Sequence, residues 1–188
     1  VEEVLYLLER DWLAVQEEEQ VKITKPKIGI MVEVPSVLLQ IAEFSELVDF
    51  FSVGSNDLTQ YLLAVDRNNP HVANVYSHFH PAVLRALQRL VQDCIEHQKP
   101  VSICGEMAGD PLTAILLMAM GFNTLSMSSS NILRVRKAIC HVPMADAKKL
   151  LNEVLQMNNP LLIKSWLEHY FRTHGLGDMV KSNRLVNA

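Results

Sequence analysis

The stretch from Asp49 to Arg67, DFFSVGSNDLTQYLLAVDR, decides how the rest of the chain reads. It opens as a short apolar run, stops at Gly54, and sets Asn56 and Asp57 side by side. A helical pattern from about Leu58 to Val65 follows, and the stretch closes on Asp66 and Arg67. A buried strand that runs straight into a helix is the repeating unit of a parallel α/β sheet. Ligands bind such sheets at the carboxyl ends of the strands, which is where this stretch puts an amide, a carboxylate and a guanidinium.

The same unit recurs on both sides. Upstream, IGIMVEV (Ile28 to Val34) is almost continuously apolar, the pattern of a strand covered on both faces. Pro35 and Ser36 stop it, and a helical pattern runs from about Ser36 to Leu47. Before it, the apolar positions 1, 4, 5, 7, 8, 12, 13 and 15 form a helical stripe over Val1 to Gln20. Downstream, DRNNPHVANVYSHFH reads as a long polar loop. HPAVLRALQRLVQDCIEHQ is an amphipathic helix with Pro81 in its first turn. KPVSICG is a third strand. Asp110 and Pro111 open another helix that Gly121 ends, NTLSMS is a fourth strand, and everything from Ser129 onward is helical. The last long helix runs from about Asn159 to His174, with Pro160 at its start and Gly175 at its end. Strands alternating with helices imply parallel strands and right-handed crossovers.

Composition narrows the function classes. At 49% hydrophobic residues the chain can bury a core, and its net charge of −4 offers nothing to nucleic acid or an anionic membrane. The longest apolar run, Leu112 to Phe122, is too short to span a bilayer. Three cysteines with no C-x-x-C pair argue against a disulfide framework or a zinc site and fit a reducing cytoplasm.

Each predicted strand ends in residues that can do chemistry: Glu33, then Asn56 and Asp57, then Cys104 and Glu106, then Ser126 and Ser128. Glu33 either pairs with a local arginine or faces water, or it joins Asp57 in binding a cation. Two carboxylates from adjacent strand ends suit Mg²⁺, which takes one or two protein carboxylates and completes its shell with water and phosphate. Asp57 could equally cap the helix that follows it. Arg67 is an ordinary solvated loop arginine unless a phosphate lies beside it. Cys104 is either a small buried filler or an acid–base thiol. Cys94 and Cys140 fall at apolar helical positions and read as filler, as do Met107, Met118, Met120 and Met127. His71, His78 and His80 share one loop but match no standard ligand spacing.

The motifs GIMVEVPS, DFFSVGSNDLTQYLLAVDRNN, HPAVLRAL, CGEMAGDP and LSMS, taken in order, resemble the phosphoenolpyruvate-utilising enzymes. Within that superfamily they are similar to phosphoenolpyruvate–protein phosphotransferase, enzyme I of the bacterial phosphotransferase system. EVPS, AVDRNNPHVANVY, CGEMAGDP and the tail HGLGDMV look more like its nitrogen-related branch. The resemblance implies a (β/α)₈ barrel of TIM type that binds phosphoenolpyruvate and Mg²⁺ at its C-terminal face. It implies Mg²⁺ on Glu33 and Asp57, substrate phosphate on Asn56 and Arg67, and proton delivery by Cys104. The phosphoryl group would pass to a histidine on a separate N-terminal domain and on to a carrier protein. Ser55 stands where other members often have threonine. A whole barrel takes eight βα units and ~250 residues, so four strands imply its C-terminal half over residues 1–188, expected to be inactive alone. Two other readings stay open: a homodimerising, non-catalytic module, and part of a pyruvate–phosphate dikinase or phosphoenolpyruvate synthase.

Overall fold

The computed structural model of the chain describes residues 1–72 and 75–180, so positions 73 and 74 of the predicted loop lie outside the described residues. The four strands are β1 (Gly29–Val32), β2 (Phe50–Gly54), β3 (Val101–Cys104) and β4 (Thr124–Ser126). They form one sheet in sequence order, every pair parallel. The helices are α1 (Glu2–Glu18), α2 (Ile41–Ser45), α3 (Ser55–Leu63), α4 (Pro81–Glu96), α5 (Glu106–Gly109), α6 (Pro111–Met120), α7 (Ser129–His141), α8 (Met144–Gln156) and α9 (Pro160–Thr173). This is the expected βα alternation of part of a parallel barrel.

The two faces of the sheet differ. Val32, Phe51, Val53, Val101 and Ile103 point to one side and are buried. Buried residues of α4, α6 and α8 join them in one core. The register places Met31, Ser52, Ser102 and Thr124 in one row across the other face, with Gly54, Cys104 and Ser126 in line beyond it. Of these residues only Gly54 is buried, and Met31 is 49% exposed. The expectation that β1 is covered on both faces is therefore corrected. Its run looks continuous because Met31 counts as apolar, yet the partners of Met31 across the sheet are serines and a threonine.

Helix starts and stops follow local chemistry. Asp110 caps α6 by accepting from Leu112 N–H, Pro111 occupies the first turn, and Gly121 ends the helix at φ 115°. Nine of the ten α6 residues are buried, which explains why its sequence is apolar all round. Asn159 caps α9 through two backbone N–H groups. The helix predicted over Ser36 to Leu47 is instead a 3₁₀ turn (Pro35–Leu39) and the short α2, because Gln40 leaves helical geometry at φ −131°. Helix α1 forms as expected, but none of its residues is buried, and Val4, Leu7, Leu8 and Val15 of its stripe stay exposed. Cys94 is buried, whereas Cys140 is exposed and is not the core filler the sequence suggested. Among the described residues no helix is long and apolar enough to cross a membrane.

Candidate functional site at the strand ends

The rim formed by the carboxyl ends of β1, β2 and β3 gathers Glu33, Asn56, Asp57 and Cys104. Glu33 follows β1 directly and folds over β2. A Cβ built on Gly54 would lie 2.6 Å from Glu33 Oε1 and 2.7 Å from its Cγ, so the carboxylate occupies the space glycine leaves. Among the described residues Glu33 has no cation within ion-pair distance, which removes the reading that a local arginine pairs with it.

Helix α3 begins at Ser55, three residues earlier than its periodicity suggested, with Gly54 as N-cap and no side-chain cap. Asp57 is therefore a first-turn acid and not a cap. Asn56 and Asp57 sit where helix N–H groups lack intrahelical partners and can face an anion. Arg67 reaches back from the loop, its guanidinium 4.0 Å from Asp57 Oδ1, with both side chains part-exposed.

Cys104 ends β3 opposite Gly54. Burial raises its thiol pKa first, the carboxylate of Glu33 raises it further, its own backbone N–H pulls the other way, and Asp57 adds a smaller upward push. Both acids are thus close enough to the sulfur to oppose a thiolate. Met31 Sδ lies 4.0 Å from Cys104 Sγ. The next residue, Gly105, has φ 102°, which a side chain would strain. Across this turn Ser55 Oγ–H donates to Cys104 C=O at 2.6 Å, and Glu106 N–H donates to Asn56 Oδ1 at 3.1 Å. Ser126, the β4 partner of Cys104, and Ser128 are exposed and make none of these hydrogen bonds.

Sequence reasoning missed a second layer. Tyr76 Oη–H lies 3.2 Å from Asn56 C=O and its hydroxyl is 2.9 Å from His78 Nε2. Burial raises the tyrosine pKa, helped by Glu106 and opposed by Arg67. Burial also lowers that of His78, against an upward push from Glu106 and with a small downward one from Arg67. The loop is thereby strapped onto the rim beside Arg67. The three loop histidines separate: His71 is exposed, His78 joins Tyr76, and His80 caps α4 by accepting from Ala82 N–H. The aromatic residue two positions before His78 was the available signal in the sequence.

The donor set fits Mg²⁺. Glu33 and Asp57 are hard oxygen donors from neighbouring strand ends, and the cradle over Gly54 holds one of them in place. Among the described residues no three histidine, cysteine or acidic side chains cluster as metal ligands. Mg²⁺ does not require three, since water and phosphate oxygens fill its remaining positions.

Residues 1–144 match the family described as PEP-utilising enzyme, PEP-binding domain. The chain belongs to this family. A protein of Salmonella typhimurium called phosphoenolpyruvate-dependent phosphotransferase system is 39% identical over 181 residues, 96% of this chain and 24% of its own length. Its Escherichia coli counterpart is 38% identical over the same share. Phosphoenolpyruvate-protein phosphotransferase of Borreliella burgdorferi is 37% identical over 144 residues, 77% of this chain and 25% of that protein. The chain thus spans about a quarter of the length of these relatives. The sheet described above is consistent with part of the TIM-type barrel of a PEP-binding domain.

Proposed function

We propose that this chain is the phosphoenolpyruvate- and Mg²⁺-binding portion, the C-terminal half of the barrel over residues 1–188, of an enzyme that moves the phosphoryl group of phosphoenolpyruvate to a protein histidine and releases pyruvate. The observation that carries this reading is the convergence of Glu33, Asn56, Asp57 and Cys104 at one rim of a parallel sheet. Glu33 and Asp57 would hold Mg²⁺, which when bound neutralises phosphate and enolate charge. Asn56 and the Arg67 guanidinium, with the first-turn N–H groups of α3, bind phosphate oxygens. Positioning and charge neutralisation are most of what in-line phosphoryl transfer needs. The P–O bond to the enol oxygen breaks, the oxygen keeps the electron pair, and a P–N bond forms to the acceptor histidine. The enolate then becomes a ketone as C3 takes the Cys104 proton. Burial keeps that proton on sulfur until the enolate forms.

The names of the relatives support the phosphotransferase reading over a dikinase or synthase. The nitrogen-related branch expected from HGLGDMV is part of this proposal, and two matches, over 181 residues, run through that tail. A histidine-phosphorylated carrier and a cytoplasmic setting go with this reading. In the full-length protein, incubation with phosphoenolpyruvate and Mg²⁺ should phosphorylate one histidine and release pyruvate; no phosphohistidine would refute the proposal. The 188-residue chain alone should show no sustained pyruvate release, since further phosphate ligands and the acceptor lie elsewhere. Among the described residues β1 and β4 are both edge strands and the inner face of the sheet is open, which favours pairing of this chain with a second copy; light scattering should report a dimer, and a clean monomer would count against that partner.

A further inference from the structure

We propose that Ser55 is a positioning residue for Cys104: with Asn56 it latches the turn that carries the thiol. The inference rests on the reading of Cys104 given above. Backbone pairing between β2 and β3 ends at Gly54 and Cys104, so beyond that point the sheet no longer fixes the chain. Side chains take over there. The Ser55 hydroxyl, on a residue only 1% exposed, donates to the Cys104 carbonyl at 2.6 Å. The Asn56 carboxamide oxygen accepts from Glu106 N–H at 3.1 Å. The cysteine's own peptide is therefore held on one side of Gly105 and the next peptide on the other.

Gly105 lets the latch close. A Cβ there would lie 2.5 Å from Ser55 Oγ and 3.0 Å from Asn56 Oδ1, and its φ of 102° excludes most side chains in any case. A consequence follows for Asn56. Its oxygen is committed to Glu106, which leaves its –NH₂ as the group free to meet a phosphate. Phosphate grip and thiol direction are then set by two adjacent residues of one helix turn. A thiol displaced by about an ångström from the line to C3 loses about 10²-fold in rate, so one buried hydroxyl bond can govern the proton step without touching substrate.

The test uses the full-length enzyme with Ser55→Ala and Ser55→Thr. S55A should lower kcat for pyruvate formation about 10–100-fold while KM for phosphoenolpyruvate moves less than about twofold. S55T keeps the hydroxyl and should restore kcat to within about threefold of the starting enzyme. Without substrate, iodoacetamide should label Cys104 faster in S55A than in S55T, with Cys94 and Cys140 as internal references read by peptide mass. Unchanged kcat and labelling in S55A, a loss confined to KM, or S55T as slow as S55A would each overturn the proposal. Should S55A fail to fold, the isosteric pair S55T and S55V carries the same comparison, and a folded but slow S55T overturns it. An inactive unmodified enzyme would sink the functional reading instead, and the labelling comparison would still decide the latch.

Discussion

Cys104→Ala in the full-length enzyme is expected to slow pyruvate formation about 10²–10⁴-fold, the usual worth of a positioned general acid. The prediction depends on where the sulfur lies. Cys104 stands at the end of β3, level with Gly54, and the Glu33 and Asp57 carboxylates both oppose its ionisation. A thiol in that setting does not serve as a nucleophile, since nucleophilic cysteines have depressed pKa values beside cations. Under the proposed function it would be a proton store. The sign of the pH effect follows: the pKa lies above the ordinary 9.0, so the proton is present through neutral pH and is lost only as pH rises past that value. Alkylation of Cys104 in the unliganded protein should accordingly rise at higher pH than for an ordinary cysteine. Phosphate binding does not involve the sulfur, so KM should change far less than kcat. An unaffected pyruvate rate in the alanine variant would remove Cys104 from the mechanism.

The sequence made the architecture legible because strands and helices here keep their separate periods and their stops are chemically marked. Pro111 with Gly121, and Pro160 with Gly175, bracket α6 and α9 to within a residue or two. The site was legible in part, because charged and amide residues at the ends of apolar runs stand out. Other features had no such signal. Helix α5 is four residues long, too short to show a period, and the start of α3 is hidden because Ser55, Asn56 and Asp57 read as turn residues. The open face of β1 could not be inferred from IGIMVEV, since an apolar run does not say whether methionine meets helix or solvent. The exposure of Cys140 and the Tyr76–His78 strap depend on which way α7 and the loop turn. The Ser55 latch depends on a cross-strand register that only the assembled sheet supplies.

Gly54→Ala is expected to weaken Mg²⁺ binding about 10–100-fold, the cost typical of disturbing the support of a metal ligand. The backbone permits alanine at this position: φ is −83°, and removing a glycine elsewhere often stabilises by ~0.4–1 kcal/mol. The obstacle is the Glu33 side chain, which an added methyl would meet at 2.6 Å from Oε1 and 2.7 Å from Cγ. Glu33 is only half-buried, so it can swing away at little cost to the fold. The variant should therefore melt close to the parent temperature while needing far more Mg²⁺ for phosphoenolpyruvate-dependent histidine phosphorylation. A magnesium titration of that reaction in the full-length enzyme gives the measurement, and a half-saturating concentration equal to the parent's would refute the placement of Glu33. Coupling supplies the stricter check. If Gly54→Ala acts only by moving Glu33, it should add nothing once Glu33→Ala has removed the carboxylate, whereas independent sites would sum to within about 0.3–0.5 kcal/mol. A double variant as weak in Mg²⁺ as Glu33→Ala alone ties the glycine to the metal through that one side chain.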